Sequence, residues 1–543
     1  MTLPTTILPG DILQSALPLA PILTPLGLGL LTLLPLRRGP KTALALLGGL
    51  LTLCFALLLV RGTAGGEVLV SELGGWRAPF GIVMTADRLS SYMSALSALC
   101  GVFALWMMTV HEDRVRELHH SFALTLFLLT GVQLSFLTGD LFNLFVAFEI
   151  MLVASYALAV LGSTREQLRE GLRYIVMNLT ASALLVIACG LAYGVLGTLN
   201  YAHLAQRSAE LGSQGTVTAV GVLLLLVFAA KGALFPLGFW LPGTYPALPP
   251  ATGALFAAVL TNVGVYALIR IFTTVFQQDP ALPQGLLLGL GALTMLFGAL
   301  GAVSQREWRR ILSFTVMSSV GYLAFGLGLG TPDALRASLA YLAVSMLVTL
   351  ALFLIAAAAE RESGSRLVRP ERRGFIEKRP LLAACFLLCA LTAAGLPPTG
   401  GFVAKYALIR AGLLQGSGLA TLAVVSALAS SLVTLYAMLG VWRGFFWGKS
   451  AVPSPDTATG PAAPARPRPA PLAQRLPAYA ASALVAGLAL FAGPLFSHAE
   501  ATARELRDNA RYIRGVLGDE PVVIPAAPTG SEIQKKQEPG EAP

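Results

Sequence analysis

Apolar windows about as long as a bilayer is thick recur along almost the whole of this 543-residue chain. A helix of ~20 residues spans the ~30 Å hydrocarbon core of a membrane. Only 12% of the residues are charged, whereas an ordinary soluble chain carries ~25%. An outer-membrane barrel would show short alternating segments instead. The sequence therefore predicts an all-α polytopic membrane protein.

The apolar pattern predicts about fourteen transmembrane helices. Their expected bounds are 17–36, 41–60, 88–110, 121–138, 141–162, 172–197, 216–239, 251–276, 283–303, 311–330, 334–359, 380–413, 417–441 and 475–496. The twelfth span is too long for one straight helix and contains GLPPTGG, so we expect it to be broken. The N-terminus lacks a basic region with a small-residue cleavage site, so no removable signal peptide is expected.

Basic residues predict the orientation of these spans. The odd-numbered loops carry 23 Lys or Arg, whereas the even-numbered loops carry 7. Cytoplasmic loops of membrane proteins are enriched in basic residues. We therefore expect the odd-numbered loops inside and both termini outside. The net charge of +10 is a property of these loops and does not indicate nucleic-acid binding.

Three ionisable residues fall inside the expected spans: Glu149, Lys231 and Lys405. A charge at the membrane centre costs about 2.5–3.5 kcal/mol on insertion scales. The chain uses 31 Arg and 7 Lys, yet both buried bases are Lys, which can lose a proton where Arg cannot. This choice favours proton translocation, with Glu149 as the partner of Lys231. The alternative is a structural ion pair that holds helices together.

Prolines interrupt the two spans that carry the buried lysines. FPLGFWLP follows Lys231, whereas GLPPTGG precedes Lys405. A proline removes a backbone donor and unwinds the helix, as in the broken helices that line ion sites of transporters. The mirrored order predicts an inverted repeat with a broken helix in each half. The candidate broken-helix hinges are Pro236, Pro242, Pro397 and Pro398.

Neither a metal nor a cofactor is expected. The five cysteines are scattered through apolar segments, and none of the five histidines lies in the middle of a span, so the chain lacks the residues for a metal or haem cluster. No nucleotide fingerprint, phosphate loop or Ser/His/Asp constellation is apparent. The sequence therefore shows no sign of covalent enzyme chemistry.

Several motifs carry a family resemblance. They are GGWRAPFGIVMTADRLS (74–90), GDLFNLFVAFEIMLVASYAL (139–158), KGALFPLGFWLP (231–242), VGVYALIRIF (263–272), RRILSF (309–314), GGFVAKYALI (400–409) and FFWG (445–448). With these, residues 10 to 518 resemble the antiporter-like membrane subunits shared by respiratory complex I, an NADH:quinone oxidoreductase, and Mrp-type monovalent cation/proton antiporters. The likeness is greatest to the D subunits of the Mrp type.

The resemblance implies a fourteen-helix fold in a bacterial cytoplasmic membrane, with two inverted five-helix repeats. It implies a lateral proton path through Glu149, Lys231, a central region and Lys405. It also implies partner subunits in a hetero-oligomer that exchanges Na⁺ or another monovalent cation for H⁺. The expected divisions are helices 1–3 (1–120), the first repeat (121–276), the second repeat (277–447), a Pro/Ala-rich cytoplasmic linker (448–474), the last helix and cap (475–518) and a disordered tail (519–543).

The chain departs from the family pattern at its centre. Positions where relatives carry Lys or His are here Asn262, Thr315 and Thr349. Together with Ser319, these residues are predicted to line a water chain, because neutral side chains can hold water but no proton. The sequence leaves open whether protons cross this region by water alone or whether part of the pumping is lost.

Three functions remain open from the sequence. The first is an ion-translocating subunit of a multisubunit Na⁺/H⁺ antiporter. The second is a proton-pumping subunit of a complex I-like assembly, in which case it would count as part of an NADH:quinone oxidoreductase. The third is a non-pumping structural subunit of either complex. The sequence does not identify the cation or the stoichiometry.

Overall fold

The structure is a computed structural model that describes residues 16–111, 114–368, 374–448 and 471–518. Most of the predicted linker at 448–474 and the whole predicted tail at 519–543 lie outside these ranges. As predicted, the described part of the chain is mostly helical. Its strands β1 (Leu69–Glu72) and β2 (Val83–Ala86) form one antiparallel hairpin between the second and third helices.

The helices fall into two groups on either side of residue 276. The first group comprises α1 Ala20–Thr32, α2 Arg38–Gly62, α3 Arg88–His111, α4 Arg114–Leu118, α5 Ser121–Leu137, α6 Leu141–Val160, α7 Arg165–Leu196, α8 Tyr201–Leu211, α9 Gly215–Lys231, α10 Leu241–Ala247 and α11 Pro250–Val275. The second group comprises α12 Ala281–Val303, α13 Trp308–Gly328, α14 Pro332–Ser363, α15 Phe375–Lys378, α16 Pro380–Ala394, α17 Gly400–Gln415, α18 Gly418–Phe446, α19 Leu472–Leu490, α20 Ala492–Arg507 and α21 Ala510–Leu517.

Nine helices within the described ranges are long and apolar enough to cross a membrane, and the bent pair α19–α20 makes ten. Four shorter apolar helices accompany them, namely α5, α9, α16 and α1 with the turn that precedes it. The last expected span, 475–496, does not continue as one helix. The chain bends by 75° between Leu490 and Ala492, where Pro494 in the first turn of α20 lacks the backbone donor that a continuing helix needs.

Helices α11 and α14 form the centre of the molecule. Their most apolar windows are 94% and 100% buried, whereas those of α2 and α7 are 33% and 39% buried. A helix that is apolar on all sides is stable when other helices surround it. Helix α11 also contains two π-helical turns, Phe256–Leu260 and Ile271–Val275, a distortion that is frequent at functional sites.

A buried ion pair joins the start of α3 to the end of α11. The guanidinium of Arg270 donates two hydrogen bonds of 2.6 Å to the two carboxylate oxygens of Asp87. The ring of Tyr512, on the C-terminal helix α21, lies 5.2 Å from the guanidinium carbon. Asp87 directly precedes α3 and is buried.

A second buried ion pair lies between the start of α13 and the end of α14. The Nε of Arg309 donates to Glu360 at 2.9 Å, and its Nη1 donates to the carbonyl of Leu248 at 2.8 Å. That carbonyl lies in the two-residue break between α10 and α11. Arg309 therefore connects the central helices of the second group to the broken segment of the first.

Removing one partner of the Asp87 pair should destabilise the fold. Arg270→Gln leaves the Asp87 carboxylate buried without its counter-ion, and breaking a buried pair in this way costs about 3–5 kcal/mol. We expect a clearly lower unfolding temperature for the purified complex in detergent. Arg207→Gln is the control, because its partner Glu210 is exposed and an exposed pair contributes about 0–1 kcal/mol. Equal unfolding temperatures for the two variants would contradict this expectation.

Candidate functional site

Lys231 is the last residue of α9, and its amine is buried against α7. The amine donates a 2.7 Å hydrogen bond to the hydroxyl of Ser182 and a 3.2 Å hydrogen bond to the carbonyl of Asn178. The ring of Phe148, on α6, lies 5.3 Å from the amine nitrogen. A serine hydroxyl can accept a hydrogen bond from an ammonium or donate one to a neutral amine. This contact can therefore persist in both protonation states of the lysine.

The chain leaves helical geometry immediately after Lys231. Residues 232–240 form turns that contain Pro236, and α10 then begins at Leu241 with Pro242 in its first turn. Backbone groups freed by such a break must find partners inside a membrane protein. One of them does so here, because the backbone N–H of Phe235 donates to the hydroxyl of Thr294 at 2.9 Å. The predicted hinges Pro236 and Pro242 thus lie within and just after an observed break.

Glu149 lies on α6, one residue after Phe148, and is only partly buried. Its Oε1 is shielded from solvent and has no hydrogen-bond partner among the described residues. Within the same residues, no ion pair shorter than 4 Å joins Glu149 to Lys231. The lysine is bonded to neutral groups instead. Polar groups separated by more than ~3.5 Å are often joined by a water, and a bridging water would also satisfy Oε1.

Lys405 lies on α17, and its amine is also buried. It donates to the carbonyl of Ala393 at 2.9 Å and to the hydroxyl of Ser431 at 3.3 Å. The rings of Tyr322 and Tyr341 lie 4.1 and 5.9 Å from the amine nitrogen. The last carbonyls of a helix have no partner within it. The side chain of Lys405 therefore caps the broken end of α16.

The break before Lys405 is the one predicted from GLPPTGG. Helix α16 ends at Ala394, and α17 begins at Gly400. Pro397 and Pro398 both lie between the two helices. The hydroxyl of Thr399 accepts a hydrogen bond from the backbone N–H of Phe402 and so caps the start of α17.

Lys231 and Lys405 make the same kinds of hydrogen bond. Each amine bonds one backbone carbonyl and one serine hydroxyl, and each lies near the face of an aromatic ring, a favourable position for a cation. Neither forms an ion pair within the part of the chain that the structure describes. Arg270 and Arg309 are instead fixed by carboxylates. An amine with neutral partners can gain and lose a proton without leaving a buried counter-ion unpaired.

Three of the predicted water-chain residues meet at one cavity. Thr315, Ser319 and Thr349 line a cavity of about 20 Å³, enough for about one water. Tyr341 and Ala393, both neighbours of Lys405, line it as well. The neutral centre therefore adjoins the second lysine.

Asn262, the fourth predicted water-chain residue, is not among the lining residues of that cavity. It is buried on α11 directly after the first π-helical turn, and its Nδ2 donates to the carbonyl of Ala258 at 2.8 Å. Its Oδ1 has no hydrogen-bond partner among the described residues. Buried polar groups without protein partners commonly bind internal water.

The residues that hold the two lysines were not predicted from the sequence; they are Ser182, Ser431, Tyr322 and Tyr341. Serine and tyrosine are common in membrane helices, so neither residue type draws notice in isolation. Ser182 carries a weak signal, because it lies four residues after Asn178 in an otherwise apolar span and therefore shares its helix face. No comparable pattern singles out Ser431.

The sequence is similar to those of known membrane proteins. The family model for the transmembrane region of NADH:quinone oxidoreductase and Mrp antiporters matches residues 138–431. The D subunit of the Na⁺/H⁺ antiporter of Alkalihalophilus pseudofirmus is 41% identical over 452 residues, which cover 83% of this chain and 88% of that protein. The corresponding D subunit of Bacillus subtilis is 40% identical over 405 residues, covering 74% and 81%.

Solved structures show the same relationship. A chain of the Mrp complex from Dietzia sp. DQ12-45-1b has a TM-score of 0.84 at 30% identity, covering 93% of this chain and 100% of that chain. A chain of respiratory complex I from Thermus thermophilus has a TM-score of 0.74 at 26% identity, covering 90% and 99%. This chain belongs to the family of membrane subunits shared by NADH:quinone oxidoreductase and Mrp antiporters. The resemblance inferred from the motifs is confirmed.

The position of Lys231 should depend on Gly264 of α11. A Cβ at Gly264 would lie 2.5 Å from the backbone nitrogen of Gly232, so Gly264→Ala should push α11 away from the break. Overpacking of this kind costs about 1–3 kcal/mol, and we expect a lower unfolding temperature of the purified complex.

Gly289→Ala on α12 is the matched control, since a Cβ added there would have no atom within 4 Å. Alanine should be neutral or slightly favourable at this position, because it is the better helix former. If Gly264→Ala is tolerated as well as Gly289→Ala, the close contact does not position the lysine.

Proposed function

We propose that this chain is a proton-translocating membrane subunit of a multisubunit monovalent cation/proton antiporter, with Na⁺ as the expected cation. The observation that carries the proposal is the pair of buried lysines, each at a helix break and each bonded to neutral partners only. A lysine in this setting can act as a proton station because its amine is not hydrogen-bonded to a carboxylate that would hold it in one charge state. Family membership and the relatives named as antiporter D subunits support the antiporter assignment.

The proposed path runs laterally from Glu149 through Lys231 and the central cavity to Lys405. Glu149 is the acid at one end, and its unpaired Oε1 can exchange a proton with a water near Lys231. The cavity lined by Thr315, Ser319 and Thr349 supplies the water between the stations. Protonation of one station disfavours protonation of the next, because like charges repel strongly at low dielectric. Proton movement at one site therefore affects the others.

The proposed architecture has fourteen spans and two inverted five-helix repeats, at 121–276 and 277–447. The ten candidate spans and the four shorter apolar helices support that number. The break after Lys231 and the break before Lys405 support the inverted relation. Both termini lie outside in this arrangement, and the face that carries Arg165, Arg169 and Arg173 at the start of α7 is the inner face.

Two other functions compete with this proposal. A subunit of a complex I-like oxidoreductase would use the same lysines, and a complex I chain is among the similar structures. The higher identity to the antiporter D subunits favours the antiporter. A non-pumping structural subunit would not require amines free of counter-ions. In every case, we expect the chain to assemble with other subunits in a bacterial cytoplasmic membrane.

Cation-dependent proton movement in inverted vesicles that contain the full complex tests the proposal. Lys231→Ala removes the station, and Glu149→Gln removes the acid while keeping the shape. We expect each to abolish exchange, or to reduce it at least tenfold, in membranes with matched complex levels. Lys378→Ala, at the exposed end of α15, is the control. Normal exchange in both variants, with intact assembly, would mean that the charges are structural.

The neutral centre can be tested separately. Thr349→Leu adds apolar volume to a cavity of about 20 Å³ and should displace the water that it holds, so we expect exchange to fall by about tenfold with normal assembly. Thr421→Leu, at an exposed position of α18, is the control. If Thr349→Leu exchanges at the control rate, protons do not cross this cavity.

A further inference from the structure

A row of four polar residues lies along one face of α7. Glu170, Tyr174, Asn178 and Ser182 follow one another at intervals of four residues, a spacing that places them on the same side of a helix. All four are buried, whereas much of the rest of this helix is exposed and apolar. At the rise of an α-helix, the row covers about 18 Å. It therefore extends from the inner end of α7 to Lys231.

Hydrogen bonds hold three members of this row in place. Ser182 accepts the amine hydrogen bond of Lys231 at 2.7 Å. The amide nitrogen of Asn178 donates to the carbonyl of Tyr174 at 3.0 Å. The hydroxyl of Tyr174 lies 2.8 Å from the hydroxyl of Ser155, on α6. Steps of about 6 Å between successive members are short enough for a single water to bridge.

Glu170 connects the row to the inner surface. Its side chain is only 3% exposed, yet it pairs with Arg169 and Arg173, whose side chains are 62% and 59% exposed. A Cβ at Gly243 of α10 would overlap the Oε2 of Glu170. The glycine therefore leaves room for the carboxylate beside the helix that follows the break. The carboxylate therefore contacts exposed arginines on one side. On the other side it lies against Gly243, in the segment that follows the break.

Packing alone does not account for this composition. Burying a hydroxyl or an amide in an apolar setting costs free energy unless it is hydrogen-bonded, and burying a carboxylate costs more. A purely structural face of α7 would be stable with small apolar residues. The buried polar side chains between residues 170 and 182 instead follow one line, and that line ends at a proposed proton station.

We propose that this row is the route along which protons pass between Lys231 and the inner face of the membrane. The proposal rests on the proposed function, because it requires Lys231 to exchange protons. The ammonium of Lys231 gives a proton to the hydroxyl of Ser182, which passes its own proton to a water. Further water beside Asn178, whose amide does not itself transfer a proton, carries it on to Tyr174. The hydroxyls of Tyr174 and Ser155 relay one proton in the same way. Glu170 orders the water at the inner end of the row, where one proton is released.

Tyr174→Phe removes one hydroxyl of the relay and keeps the ring. We expect it to reduce cation-dependent proton exchange at least tenfold in inverted vesicles with matched levels of the full complex. The solvent deuterium isotope effect on the exchange rate should increase, because proton transfer then limits the rate. Tyr193→Phe, on the same helix with its side chain 61% exposed, should leave the rate and the isotope effect unchanged. An unchanged rate in Tyr174→Phe overturns the proposal.

The role of Glu170 at the inner end of the row is tested with further variants. Glu170→Gln should reduce exchange, and Glu170→Asp should restore most of it. Glu166→Gln, one turn earlier and paired with the partly exposed Arg366, should have no effect. Equal exchange in Glu170→Gln and Glu166→Gln would remove Glu170 from the route.

Lys231→Ala, measured in parallel, separates this inference from the proposed function. If Lys231→Ala is inactive while Tyr174→Phe is normal, Lys231 is a station but its route to the inner face lies elsewhere. If Lys231→Ala is itself normal, the proposed function fails and the route fails with it.

Discussion

Backbone N–H and C=O groups inside a bilayer must find hydrogen-bond partners within the protein, and a continuous helix supplies them. This structure contains two helix breaks at which other groups must supply those partners. At the first break, the side chain of Thr294 accepts the N–H of Phe235. At the second, the amine of Lys405 donates a hydrogen bond to a carbonyl at the end of α16. The broken elements α9 and α17 pack against the central helices α11 and α14, respectively.

Buried charge takes two different forms in this fold. Arg270 and Arg309 are held by carboxylates near helix ends, in geometries that fix their charge and tie distant segments together. Lys231 and Lys405 lie beside the breaks and are held by hydroxyls and carbonyls. The residue type matches the environment in each case, because arginine suits a permanent bidentate pair and lysine suits a group that changes its charge. This difference in environment explains why the chain, although rich in arginine, has lysine at the two helix breaks.

Much of the site could be predicted because a charge within an apolar span is a strong local signal. Glu149, Lys231, Lys405 and the proline breaks are all found by reading short windows. The Asp87–Arg270 pair could not be found in this way, since 183 residues separate its members. The serines that hold the lysines were missed for a different reason. Serine is common at helix interfaces, so only the fold shows which serines face an amine.

The two lysines differ in what lies beside them, and this difference bears on the direction of transfer. Lys405 adjoins the small cavity lined by Thr315, Ser319 and Thr349, and two tyrosine rings cover it. Lys231 adjoins α7 and the partly buried Glu149. The amine of Lys231 thus has an acid and a polar helix face nearby, whereas the amine of Lys405 has a small cavity and aromatic rings nearby. Since the region between them has no ionisable side chain at Asn262, Thr315 or Thr349, a proton cannot rest there. Under the proposed function, transfer across the centre would then be a single passage through water, timed by the charge states of the two lysines.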